Sequence, residues 1–191
     1  MRVPRTRKAA AVIMAVALIP AAHPVTAHAS SSESGVRALA PACVGDGPFM
    51  YRNFKSGKVL SAQGGFGTTV VQDTEWGPHP FVPWQYWCRI PDGLYRSYEN
   101  MQYNLNMGIN GGSTAANASA ILANPAGDIN QDWLPRADSR YPAGVFALVN
   151  RKSSMCLGIS NASVADGARA AQFPCDGNLN QGWSEVAVPG W

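Results

Sequence analysis

Gln85-Tyr86-Trp87, Gln131-Asp132-Trp133 and Gln181-Gly182-Trp183 repeat one Gln-x-Trp tripeptide three times, at intervals of 46 and 50 residues. Self-similarity at a near-constant period marks a chain built from like units, none of which buries its own apolar face alone. Other features recur with the tripeptide. An aromatic opens each unit (Tyr51, Tyr95, Phe146), a leucine follows (Leu60, Leu105, Leu157), and a glycine-containing stretch leads to a further strand. Equivalent leucines and tryptophans from three copies are expected to converge on a pseudo-threefold axis and fill one shared core.

Between the tripeptides no stretch sustains a helical period. Short runs of β-forming residues, Val59–Ala62, Thr69–Val71, Gly144–Val149 and Ala170–Phe173, alternate with Gly, Asn, Asp and Pro turns. The fold class is therefore all-β.

The chain has 191 residues, 46% apolar and 14% charged, a globular composition. Its formal charge of +3 is carried by a leader that holds Arg2, Arg5, Arg7 and Lys8 and no acid. From residue 30 onward there are 11 bases and 12 acids, a net charge of −1, which argues against a nucleic-acid partner. His79 is the one histidine beyond the leader, so a His-rich metal site is not expected, and no motif calls for a cofactor. Gly-x-Ser-x-Gly, His-Glu-x-x-His and a Lys-Ser/Thr phosphate loop are all missing, and the carboxylates are scattered over turns. No catalytic residue is assigned, and the chain reads as a non-enzyme.

Residues 1–29 join a basic opening, an apolar run from Ala9 to Ile19, Pro20 and the small-residue signature Ala27-His28-Ala29, which reads as a cleaved secretory signal. The apolar run is about half the roughly 20 residues a bilayer span needs, so no membrane anchor is expected. Residues 30–42 read as a flexible tether, and 43–191 as the folded domain, taken to be an extracellular monomer. Export places the four cysteines in an oxidising compartment. Cys156 and Cys175 would close a short loop worth roughly 3 kcal/mol, and Cys43 and Cys88 would form the other bridge; cross-pairings stay open. Asn117-Ala118-Ser119 and Asn161-Ala162-Ser163 match the glycosylation sequon.

From residue 43 to about 190 the sequence resembles the ricin B-type lectins, most clearly in Cys156-Leu157-Gly158-Ile159, Asp166-Gly167-Ala168, Phe173-Pro174-Cys175 and Asn180-Gln181-Gly182-Trp183. The resemblance implies a β-trefoil of three units with about twelve strands and up to one shallow sugar pocket per unit. In the family a carboxylate accepts bonds from sugar hydroxyls, a ring stacks on the sugar's C–H face, and an Asn-Gln pair flanks the site. Aligned on the leucines, the aspartate position holds Ser61, Asn106 and Gly158, with Asn104 and Pro125 at the unit-two cysteine positions. The ring position holds Asp73, Ala123 and Phe173. On this basis the candidate carbohydrate contacts are Phe173, Asn180 and Gln181 in unit three, Asn106, Asn130 and Gln131 in unit two, and Gln85 in unit one, to which the unit-one insertion adds Trp76. Gly158→Asp is expected to restore the missing acceptor.

Unit one also carries an insertion, Trp76-Gly77-Pro78-His79-Pro80-Phe81-Val82-Pro83-Trp84. Its ring position lies 12 residues before the repeat's Gln, against 8 in the other units. Three prolines stiffen a loop that presents three aromatics. The leading reading is a secreted carbohydrate-binding module for glycans or polysaccharide. The alternative is a trefoil scaffold that acts through a protein partner, as a toxin subunit or a protease inhibitor.

Overall fold

The short strands bury their apolar residues against one another, β2 and β10 along their whole length, and the computed structural model assembles them into a β-trefoil. It describes residues 43–77, 81–189 and 191. The expected signal, tether and His79 lie outside the described residues. Unit one comprises β1 (Asp46–Asn53), β2 (Val59–Ala62), β3 (Val70–Asp73) and β4 (Trp87–Asp92). Unit two comprises β5 (Tyr95–Asn100), β6 (Leu105–Ile109), β7 (Ala120–Ala123) and β8 (Trp133–Ala137). Unit three comprises β9 (Phe146–Asn150), β10 (Cys156–Ile159), β11 (Ala168–Phe173) and β12 (Gly182–Ala187).

Six strands close a barrel through antiparallel pairings β1–β4, β4–β5, β5–β8, β8–β9, β9–β12 and β12–β1. Closure leaves these strands no unpaired edge. The other six form three hairpins that cap one end: β2–β3, β6–β7 and β10–β11. The hairpins meet at β3–β11, Thr69–Ile121 and Ser119–Ala171.

Trp87, Trp133 and Trp183 are fully buried in the shared core with Leu60, Met107 and Leu157. Each indole N–H donates to the carbonyl of the hairpin residue it packs beside: Trp87 to Leu60 (3.2 Å), Trp133 to Met107 (3.0 Å) and Trp183 to Leu157 (2.9 Å). Burying an indole requires such a partner, and one bond per unit supplies it.

This pattern corrects the alignment of unit two. On β10, Cys156, Leu157 and Gly158 pair with Phe173, Gln172 and Ala171; on β6, Asn106, Met107 and Gly108 pair with Ala123, Leu122 and Ile121. Leu105 is therefore not the equivalent of Leu157, which is Met107, and Asn106 stands at the cysteine position instead of the aspartate position. The shift is two residues, which keeps every side chain on its face. A similar shift affects the aromatic openers. Asn53, Asn100 and Asn150 pair with Trp183, Trp87 and Trp133, so the equivalents of Tyr51 are Tyr98 and Leu148, and Tyr95 and Phe146 lie elsewhere in their strands.

Both disulfides form, Cys43–Cys88 and Cys156–Cys175, with Cα separations of 5.3 and 5.0 Å. The first ties the entry of β1 to β4, and the second closes the β10–β11 hairpin.

Candidate functional site

After each hairpin a 3-10 turn, Pro83–Gln85, Ile129–Gln131 or Leu179–Gln181, leads into the tryptophan strand. The glutamine ending each turn is buried and points back at the loop it has just left. Gln85, Gln131 and Gln181 donate through Nε2 to the carbonyls of Thr74, Asn124 and Pro174. Their Oε1 atoms accept from the backbone N–H of Trp76, Ala126 and Asp176. One side-chain amide thus replaces the ladder partners that an irregular loop lacks.

The asparagine before the glutamine is also directed inward. Asn130 and Asn180 donate to the carbonyls of Ile109 (3.1 Å) and Ile159 (2.9 Å), and Asn180 is buried. Asn106, also buried, donates to Gln131 Oε1 at 2.9 Å and leaves its own Oδ1 without a partner. Phe173 is half-buried. Trp76, by contrast, is 58% exposed.

At the aspartate position the corrected register places Ser61, Gly108 and Gly158. The two glycines share an environment: a Cβ would lie 2.9 Å from Gln131 Cγ at Gly108 and 2.9 Å from Gln181 Cγ at Gly158, where Phe173 also closes to 3.3 Å. The clamped glutamine occupies the space an aspartate would need, so Gly158→Asp meets a steric conflict, contrary to the expectation from sequence. Ser61 fits here because it is small; its buried Oγ has no hydrogen-bond partner.

Two open pockets lie beside these positions. The unit-one pocket, about 310 Å3, is lined by Gln63, Asp73, Thr74, Trp76, Trp84 and Asp166. Asp73 Oδ1 accepts from Gly167 N (2.9 Å) and Oδ2 from Gln63 Nε2 (2.8 Å). Asp166 reaches in from unit three, accepting from Lys58 Nζ and Thr74 N, both at 2.6 Å. These bonds hold the Asp166 carboxyl below the usual carboxylate range, the one from Lys58 contributing most. Trp84 stands where the other units have Asn130 and Asn180. The unit-two pocket, about 380 Å3, takes Asn130 and Asp128 from its own unit, Phe66 from unit one and Lys152 from unit three.

Several residues escaped the sequence reading. Asn53, Asn100 and Asn150, all buried, pin each 3-10 turn to the barrel by donating to the carbonyls of Asn180, Trp84 and Asn130. Their spacing to the repeat's Gln, 32, 31 and 31 residues, is the signal that could have found them. Gln63 and Lys58 carry no repeat signal, and Asp166, though part of a stretch that carries the family resemblance, is not marked by it as a pocket residue.

A closed six-stranded barrel capped by three hairpins, with one glutamine clamp and one buried tryptophan per unit, defines the β-trefoil class. Within it the resemblance to ricin B-type lectins holds: residues 129–190 match the family model described as ricin-type beta-trefoil lectin domain-like. The designed threefold-symmetric protein ThreeFoil superposes with a TM-score of 0.69 at 26% identity, covering 75% of this chain and 100% of its own. An exo-beta-1,3-galactanase from Clostridium thermocellum gives 0.68 at 21% identity, covering 77% of this chain but 31% of the enzyme. The Macrolepiota procera ricin B-like lectin, solved in complex with lactose, gives 0.62 at 16% identity over 76% of this chain and 99% of the lectin. No curated protein is similar enough in sequence to match the chain.

Proposed function

We propose that this chain is an exported, non-catalytic carbohydrate-binding module whose principal pocket lies on unit one. The observation that carries the reading is the convergence of Asp73 with Trp76 and Trp84 in one open pocket. A carboxylate with free lone pairs accepts bonds from neighbouring hydroxyls, and an exposed indole stacks on a sugar's C–H face. Unit one thus holds both halves of lectin chemistry at exchanged positions, the acid at the ring position and the rings in the insertion. The lectin neighbours, one of them solved with lactose, support the same reading. The leader-like residues 1–29 and the two disulfides support export. Phe173, with Asn180 and Gln181 behind it, is a weaker secondary contact.

Retention of the domain on a panel of immobilised polysaccharides tests the reading. Trp76→Ala is expected to reduce retention about tenfold while leaving the thermal midpoint within a few degrees, because Trp76 lies largely in solvent. Phe173→Ala is expected to reduce it less. Undiminished retention in Trp76→Ala would remove the unit-one assignment.

A second reading rests on one further observation. Phe81 and Trp191, 42% and 51% exposed, stack with ring centroids 6.0 Å apart. A surface aromatic pair of this kind suits a protein partner, and loss of capture of such a partner in Phe81→Ala, with polysaccharide retention intact, would favour the scaffold role.

A further inference from the structure

Resting on the unit-one assignment, we infer that this pocket selects glycans bearing free amines, deacetylated amino sugars, over neutral or N-acetylated ones. The inference comes from how its charges are compensated. Asp166 is paired with Lys58, whereas Asp73 receives only neutral donors, the Gly167 N–H and the Gln63 amide. No cation lies within ion-pair distance of Asp73 among the described residues. Among the described residues, two acids and one lysine leave the pocket net negative. Each Asp73 oxygen retains an acceptor site, since a carboxylate oxygen offers two and only one is taken.

The two tryptophans add to this bias. An indole face attracts an ammonium through its quadrupole as well as stacking on a pyranose ring. A glucosamine residue presents both groups, an apolar C–H face and a cationic nitrogen on the same ring. N-acetylation removes the charge and adds bulk.

Calorimetric titration of the mature domain with glucosamine hexamer, its fully N-acetylated counterpart and cellohexaose, in mildly acidic low-salt buffer, tests the inference. The glucosamine hexamer is expected to bind about tenfold or more tightly than the other two, with the margin shrinking as salt rises. Asp73→Asn, which keeps the shape and one amide oxygen, is expected to level the three affinities. Trp76→Ala, at an exposed position, is expected to weaken all three. Equal affinities in the native domain would overturn the amine preference while sparing the carbohydrate reading. Binding of the glucosamine hexamer unchanged in both variants would place its site elsewhere. Failure to bind any of the three, or anything on the polysaccharide panel, would overturn both.

Discussion

Asp73 holds on the unit-one hairpin the position that Phe173 holds on the unit-three hairpin: each is the Cα partner of the residue that opens its hairpin, Val59 and Cys156 respectively. The same backbone site thus presents a carboxylate in one unit and a ring in another. Where an acceptor enters a trefoil pocket is therefore not tied to one position of the repeat, and unit one regains an acid without disturbing Gln85.

Gly158→Asp is expected to destabilise the domain by about 1–3 kcal/mol, because its Cβ would press on Gln181 Cγ, which is held at both ends by Pro174 O and Asp176 N. Scanning calorimetry should register a midpoint several degrees lower, with no gain in polysaccharide retention. An unshifted midpoint would mean that the glutamine yields freely.

Gln181→Leu removes both clamp bonds at nearly constant volume and takes the partner from the Pro174 carbonyl and the Asp176 N–H. A loss of about 2–3 kcal/mol is expected in urea unfolding. The equivalent Gln85→Leu also frees the loop carrying Trp76, so it should lower both stability and glycan retention.

The Cys156–Cys175 pair spans 19 residues, and replacing both with serine should cost roughly 3 kcal/mol through the unfolded chain's entropy. Non-reducing peptide mapping of the native protein should recover these two residues on one linked peptide. Finding them as free thiols would remove the bridge.

Tyr51 and Tyr98 meet edge-on with centroids 4.8 Å apart, and burial pushes both phenols well above their usual range. A raised folded-state value gives stability that is fully present below about pH 10, the unfolded value, and is lost as pH rises beyond it. Alkaline titration followed by tyrosinate absorbance should therefore show these two ionising only as the domain unfolds. Tyr98→Phe should reduce the steepness of alkaline unfolding.

Much of this architecture is legible in the sequence. The Gln-x-Trp repeat, the β runs at Val59–Ala62 and Ala170–Phe173 and the cysteine pairs all find their counterparts in the structure. The register of β6 is not legible in the sequence because Met107 fills the place of Leu60 and Leu157, while Leu105 two residues earlier offers a false match on the same face. Methionine packs there as well as leucine does, so hydrophobicity alone cannot separate them. Leu148 hides the Tyr51–Tyr98 position in the same way. Asn53, Asn100 and Asn150 escaped because a buried amide has no hydrophobic period to announce it. The pocket was the least legible part, since Lys58, Asp73 and Asp166 meet only through the β3–β11 contact, with Asp166 more than 90 residues from Asp73 in sequence.

The pairing of β1 with β12 has a mechanical consequence. Phe49 lies opposite Ala187 and Asn53 opposite Trp183, so the outer ends of the first and last strands emerge together. Tension between the two ends loads these hydrogen bonds one after another, peeling β12 from the barrel instead of shearing all rungs at once. The Cys43–Cys88 bridge carries the load past β1 and into β4. Pulled by its two ends, the domain would give way first along β12, and the hairpin cap would be the last part to feel the pull.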